Sequence, residues 1–412
     1  MAHSNRILSP EMDSLAFLWP ASGSKGLLLS MKKIFYVAVA GLVLFETAKV
    51  YFIMPMPGSQ DMDSLPLAYF LHHWRWVFRL GFGLLLLAGV RSAWQAARWG
   101  AVAALAVVTA VLYLFNVEMT AEKMFYPPRA LRLADASANT VPLDKLVIGF
   151  ADRSGQATAY PIQFLGYHHQ VRDQVGATPV MVTYCTVCRS GRVFSPLLHG
   201  KAETFRLVGM DHFNAMFEDA TTGSWWRQAT GEAVAGPLRG TQLIELPSSQ
   251  ATLQEWLALH PISRVMQPDS TFAAEYADMD SYDVGLDRGP LTGTDTASWH
   301  DKSWVVGLQL SPRAAKAYDW NRLKRERVIN DTMGNQPVVI ALAADGQSFF
   351  AFQRPDPAAV FVLQHDTLVS GDRAWQLTGL AIAPTTDNLQ KVPAYQEFWH
   401  SWRSFHPYTT RY

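Results

Sequence analysis

Apolar and polar positions are unevenly spread along this chain. Three long apolar runs, 34–54, 69–90 and 99–117, all precede residue 118. Each is near the roughly 20 residues with which an α-helix crosses a bilayer, so the pattern predicts three membrane helices in a membrane domain at 31–118. The second run is the least clean, because His72, Arg75 and Arg79 recur on one helical face. The simpler reading has them snorkel to the headgroups; the other makes them an intramembrane charge cluster with Glu46 or Lys49. Lys32 and Lys33 precede the first run and Arg91 and Arg98 follow the second, while the first loop carries Asp61 and Asp63. The positive-inside rule then puts the amino end in the cytoplasm and everything after residue 117 on the periplasmic or extracellular side of the cytoplasmic membrane. Residues 1–30 stand apart: MKKIFYVAVAGLVLF from Met31 reads as a natural start, which makes them a tail or an extension.

Beyond the apolar runs the period changes. Pro127, Pro128 and an Ala/Ser/Asn stretch mark a linker at 119–145. Short apolar segments rich in β-formers follow at 147–150, 179–184, 192–197 and 203–208, which predicts strands. Laying KLVIGF and ATAYPIQFLGYHHQVRDQVGATPVMVTY over the stretch from KSWVVG to QPVVIAL shows a repeat. Gly149 meets Gly307, Tyr160 meets Tyr318, Asp173 meets Asp331, Gly176 meets Gly334 and Pro179 meets Pro337, every pair 158 positions apart. LQEWLALHP and FWHSWRSFHP extend the likeness and predict a short closing helix in each copy, before a His-Pro stop. The fold class expected is α+β: a strand-rich, duplicated extracytoplasmic domain preceded by three transmembrane helices. Its first copy spans 146–265, a polar connecting loop 266–302, and the second copy 303–412.

The copies differ where chemistry would lie. Cys185 and Cys188, the only cysteines, sit in YCTVCR at the end of a predicted strand, and Ala343 and Gly346 stand at the aligned positions. A block from Met210 to Pro237 has no counterpart in the second copy either, so the first copy is expected to hold the site and the second to serve as scaffold. Three readings of the thiols stand: a disulfide that staples a turn, two ligands of a metal, or a redox pair or nucleophile. The RSGRVFSPL that follows reads as turn and strand, which weakens a thioredoxin-like mechanism because that needs a helix N-terminus. For a metal, His168 and His212 are the candidate imidazoles beside Cys185 and Cys188, a mixed sulfur and nitrogen set suited to zinc or copper. Asp219, Gln228 and Glu232 are candidates for catalytic polar groups beside Trp225 and Trp226. The plainer reading makes TTGSWWRQATGEAVAGP a hairpin with buried tryptophans and turn-capping carboxylates.

Taken together, VIGF, the Tyr184-Cys185-x-x-Cys188 turn, the FEDATTGSWWRQATGEAVAGP segment and LQEWLALHP resemble domain of unknown function 3179, found in bacterial and archaeal envelope proteins. The resemblance runs from about 146 to 407. It implies that Tyr184, Cys185, Cys188, Asp219, Thr222, Ser224, Trp226, Gln228, Gly231, Glu232, Gly236 and Pro237 match the family pattern; of these, Tyr184 and Trp226 are this reading's own candidates for contact with a cofactor. His168 matches a usual histidine before the Asp-x-x-Gly turn. Thr186-Val187 replaces the usual Pro-Leu, and MDHFNAM departs from the family's stretch there. The resemblance brings no activity with it.

The balance of 35 basic and 35 acidic residues gives no bulk charge for nucleic acid, and no nucleotide loop or Ser-His-Asp pattern is present. The expected partners are the membrane and a small-molecule or envelope-protein ligand. The function expected is metal binding or thiol redox work; the alternative is a non-catalytic binding module with a structural disulfide.

Overall fold

The computed structural model describes residues 22–311 and 313–412. They form two compact units, one of residues up to 47 with 73–113, the other of 48–72 with 114–412.

The first unit is helical. Three helices are long and apolar enough to cross a membrane, with candidate spans Ser30–Tyr51, Arg75–Ala96 and Arg98–Glu118. The first belongs to a helix that runs Ser22–Tyr51, so the end of the stretch expected as a tail is helical, while residues 1–21 lie outside the described ones. Gly89 permits close approach of two helices, since a Cβ there would stand 2.6 Å from the Met31 carbonyl oxygen and 2.7 Å from the Phe35 side chain. Arg79 is ion-paired rather than snorkelled: Nε and Nη2 donate to the two oxygens of buried Glu46 at 2.6 and 3.1 Å.

The second apolar run is split at Trp74 into helices Leu65–His73 and Arg75–Ala96. The first of these helices, up to His72, belongs to the second unit, where its side chains have partners. Tyr69 meets the Trp225 ring edge-on at 5.1 Å, and His72 Nε2 lies 3.1 Å from Glu218 Oε2. His72 therefore binds a carboxylate of the strand-rich part, which the hydrophobic pattern of its own run gave no means of foreseeing.

The second unit is built of several antiparallel-rich sheets with short helices, an α+β arrangement. In one sheet Ser248–Thr252, Leu146–Ala151 and Ala157–Pro161 run antiparallel, and Arg264–Met266 adds parallel to the last. In another, Ala394–Phe398, Trp304–Ser311 and Ala314–Asp319 run antiparallel, and Thr410–Arg411 adds parallel. A seven-residue helix follows in each stretch, Ile162–His168 and Trp320–Glu326, and then a three-stranded meander. The hairpin turns of these meanders place Gly176 and Gly334 at φ of 56° and 60°, the left-handed region that glycine enters without steric cost.

One packing contact explains a glycine in each sheet. Helices Leu253–Leu259 and Trp399–Phe405 lay Trp256 and Trp402 flat on the strands at Gly149 and Gly307, where a Cβ would stand 2.3 and 2.2 Å from the indole. Both tryptophans are almost fully buried, so neither can yield. Gly149→Ala and Gly307→Ala are each expected to lower stability by about 1–3 kcal/mol, the usual cost of overpacking a filled core. Urea unfolding of the detergent-solubilised chain, followed by tryptophan fluorescence, checks this; an unchanged midpoint would show that the indole moves aside.

Candidate functional site

The Cys-x-x-Cys segment forms the turn of a hairpin. Strand Thr178–Cys185 pairs with Ser190–Phe194, with Cys185 opposite Ser190, and the chain turns through Arg189 at φ 55°. Turn and strand follow the thiols, as RSGRVFSPL predicts, so no helix N-terminus acts on them. Both cysteines are free and fully buried.

A second hairpin meets them. Strands Phe205–Asp211 and Asn214–Asp219 are joined by a two-residue turn in which His212 and Phe213 have φ of 50° and 64°. A two-residue turn with both φ positive normally takes Asn-Gly; non-glycine residues held there cost about 1–2 kcal/mol each. The turn presents one carbonyl to both thiols: Cys185 Sγ and Cys188 Sγ lie 3.6 and 3.4 Å from Phe213 O. Gln60 Oε1 accepts from the Phe213 N–H at 3.2 Å and Met210 N–H donates to Ile53 O at 2.8 Å, which fastens the 52–60 segment to this hairpin. Gly209 allows that approach, since a Cβ there would stand 2.3 Å from Ile53 O.

The rest of the surroundings comes from far along the chain. Lys302 Nζ donates to Val187 O at 2.7 Å and to Leu291 O, and lies 3.3 Å from His400 Nε2, itself 3.1 Å from Val187 O. Side chains of Ser401 and Asn214 reach Cys188. Asn214 is fixed by donating to Gln228 Oε1 at 3.0 Å and accepting from Ala229 N–H at 2.8 Å.

These groups make the two sulfurs unequal. Burial pushes the Cys185 thiol up, but the Cys188 thiol, the N–H groups of Ala215 and Cys188 and the Lys302 charge together bring it below its ordinary value. Burial and the neighbouring Cys185 drive Cys188 well above its own. Of the two sulfurs, Cys185 is the one that loses its proton more readily.

The other expected site residues are dispersed. His168 is buried with Nδ1 at 2.5 Å from Tyr126 O and Nε2 at 2.6 Å from the Tyr276 hydroxyl, and burial lowers its pKa. His212 faces Asp211 at 2.8 Å and Asp63 at 3.3 Å; its hydrogen bond to the Asp211 carboxylate raises its pKa. The metal set of Cys185, Cys188, His168 and His212 is thus not brought together, and among the described residues no three His, Cys, Asp or Glu side chains form a group that could hold a metal ion.

Asp219 is spent on its own turn, accepting from Thr222 and Ser224 and from the Trp226 indole N–H at 2.9 Å. Gln228 is saturated by Ser190, Asn214 and Thr183. Glu232 lies 3.8 Å from Arg227. Trp225 and Trp226 are buried in a hairpin of Trp225–Arg227 with Ala233–Ala235, so neither is open to grip a ligand. Tyr184 is buried edge-on to Tyr282 at 6.1 Å.

The stretch read as a plain connecting loop holds the thiol turn in place. Arg189 donates to the carbonyls of Tyr282 and Asp283 at 3.1 and 2.8 Å, and the Tyr282 hydroxyl donates to Thr186 O at 2.8 Å. The part expected as scaffold also contributes: His400, Ser401, Gln396 and Glu397 all face the Cys-bearing hairpin or its arginines. A signal for them existed. Aligning LQEWLALHP with FWHSWRSFHP sets His400 opposite Gln254 and Glu397 opposite Ala251, two ionisable side chains gained by the second stretch alone.

Burial, with the Lys302 charge adding, depresses His400 from 6.5 to about 4. The unfolded chain therefore takes up this proton first as pH falls. The neutral imidazole's contribution to stability is complete above about pH 6.5 and is lost as pH falls through about 4. His400→Gln is expected to be less stable than the parent at pH 7.5, with the gap narrowing between pH 6.5 and 4. Urea midpoints of both chains across that range measure it. Comparing the two cancels the opposing effect of Asp283, which burial raises to about 6.

Neither the curated proteins nor the solved structures contain a match to this chain. A family profile does match, over residues 127–409, which takes in the whole of the thiol hairpin, the tryptophan hairpin and the stretch bearing Lys302 and His400. The chain belongs to the family described as "Protein of unknown function (DUF3179)".

Proposed function

We propose that this is a membrane-anchored protein whose strand-rich part lies outside the cytoplasm, and that Cys185 and Cys188 work there as a dithiol–disulfide couple. The single observation that carries the chemistry is the convergence of two free thiols on the Phe213 carbonyl, with Lys302 near Cys185 and Ser401 and Asn214 at Cys188. The reading is preferred to metal ligation because both ring nitrogens of His168 are engaged elsewhere and His212 faces two carboxylates. It is preferred to an inert staple because the unequal pair has one sulfur ready to attack and one ready to resolve. The placement outside rests on three candidate spans and the positive charge before the first and after the second. That the outer part is a duplicated unit, 146–265 and 303–412 about a connection at 266–302, is supported by the common strand order and by Gly149 and Gly307 under their tryptophans.

The exchange balances without a further reagent when the partner is a disulfide. The Cys185 thiolate attacks one partner sulfur and expels the other as thiolate. Cys188 then gives up its proton and its sulfur closes on Cys185, and the second partner sulfur leaves with that proton as a thiol. Two electrons pass to the partner. Because both sulfurs are buried, access requires the His212–Phe213 turn to lift, and its two left-handed residues make it a costly turn to hold down.

The test is a titration of the full chain in detergent against glutathione redox buffers, quenched with acid and alkylated under denaturing conditions. The expected result is one two-electron transition in which both cysteines escape alkylation together. Cys188→Ser should trap a mixed disulfide at Cys185, and Lys302→Met should move the reactivity of Cys185 to higher pH. Two cysteines that stay alkylatable across the whole range, or a stoichiometric metal in the purified chain, would falsify the reading.

A further inference from the structure

A cavity of the second unit lies away from the sulfurs. It is a cleft of about 620 Å³ between the 122–131 segment, strand Gln170–Val175 and strand Phe205–Asp211, a volume in the range of pockets that hold small ligands. Both strands are sheet edges. Gln170–Val175 pairs only with Thr178–Cys185, and Phe205–Asp211 only with Asn214–Asp219. Ile53 occupies the far end of the second edge at Met210, which leaves its lower half facing the cleft. Two side chains tie the edges together: Gln170 Nε2 donates to Phe205 O at 2.6 Å, and Arg172 Nη1 to Thr204 Oγ1 at 3.0 Å.

The polar groups of this cleft are unevenly satisfied. Asp173 accepts from the Tyr160 hydroxyl at 2.7 Å, Glu203 accepts from Thr204 N–H at 2.6 Å, and Glu122 lies 3.3 Å from Arg206. Arg206 is shared with Glu218 at 2.7 Å. Among the described residues Arg129 and Arg172 are in no ion pair, Arg172 donating to Thr204 Oγ1, so two guanidinium groups of the cleft have no carboxylate partner, while Asp173 and Glu203 accept from neutral donors. Gln170 is 8% exposed, and its Oε1 has no donor. A buried acceptor left unpaired is destabilising, and a ligand N–H would satisfy it. Phe125, Pro127, Pro128 and Phe205 supply an apolar wall.

We infer that this cleft binds a short, extended, carboxylate-bearing peptide. Open strand edges accept an extended backbone, Gln170 Oε1 takes one of its amide N–H groups, and Arg129 and Arg172 take its carboxylate. The inference is independent of the thiol couple, since neither cysteine lines the cleft.

The test uses the full chain in detergent and equilibrium dialysis against a pool of N-acetylated tripeptides that contain glutamate and end in a free carboxylate. The matched control pool has glutamine for glutamate and an amidated end. The acidic pool should be retained and the neutral pool held at least about tenfold more weakly, the scale of one charge-assisted hydrogen bond. Arg172→Ala, an exposed position that folding should tolerate, should lose about tenfold, and Gln170→Leu a similar factor with unchanged circular dichroism. Cys185→Ser should bind as the parent does, which keeps failure here distinct from failure of the redox reading. Equal retention of the two pools, no retention of either, an Arg172→Ala chain that binds normally, or displacement of the peptides by inorganic phosphate at equal concentration would each overturn the inference.

Discussion

Two buried guanidinium groups hold the strand-rich unit together. Arg189 and Arg192 flank the thiol turn, both essentially without solvent exposure. Arg192 is paired with Glu397 and lies 3.5 Å above the Tyr395 ring; Arg189 donates to Gln396 at 2.9 Å and lies 3.7 Å above the Trp304 ring. A charge taken from water costs several kcal/mol even after relaxation, so each guanidinium must be matched on every side. Here the matching groups come largely from the 282–283 segment and from strand Ala394–Phe398, more than 90 residues away in sequence, with Glu245 adding a carboxylate 3.5 Å from Arg192. Meeting that demand fixes the Cys-bearing hairpin against two distant parts of the chain and leaves the sulfurs little freedom to move.

The same constraint shapes the chemistry at the sulfurs. Burial raises a thiol's pKa, and both cysteines pay that penalty in full. Only Cys185 recovers it, through donors aimed at its sulfur and the Lys302 ammonium nearby. Lys302 is itself kept in place by the carbonyls of Val187 and Leu291 and by the Phe398 ring at 4.6 Å. Val187, one of the two residues between the cysteines, thus helps anchor the cation that differentiates them.

The tryptophan block plays a different part from the one its composition suggests. Trp225 Nε1 donates to Glu218 and Trp226 Nε1 to Asp219, each at 2.9 Å, and Glu218 also accepts His72 and Arg206. Burial acts against the Glu218 carboxylate, but the hydrogen bonds from His72, Trp225 and Arg206 hold its pKa down to about 2. These carboxylates buttress the hairpin that presents Phe213 to the sulfurs. Their value is mechanical, and adjacent aromatic and acidic residues in a sequence do not distinguish a buttress from a pocket.

Local periodicity determined much of this protein in advance. The three apolar runs, the strands expected at 147–150, 179–184 and 192–197 and found at 146–151, 178–185 and 190–194, the positive-φ glycines at 176 and 334 and the short closing helices all follow from patterns a few residues wide. So does the absence of a helix after Cys188. The partners of the sulfurs did not follow. His400 lies 213 positions from Val187, and Glu397 lies 205 from Arg192. Sequence also gave His168 and His212 to the thiols, where the fold gave each to other groups. Backbone geometry repeats within two to four residues and so leaves a periodic trace. Side chains that meet across a folded interior leave none, because burial, charge matching and close packing choose among distant residues only once the chain has closed on itself.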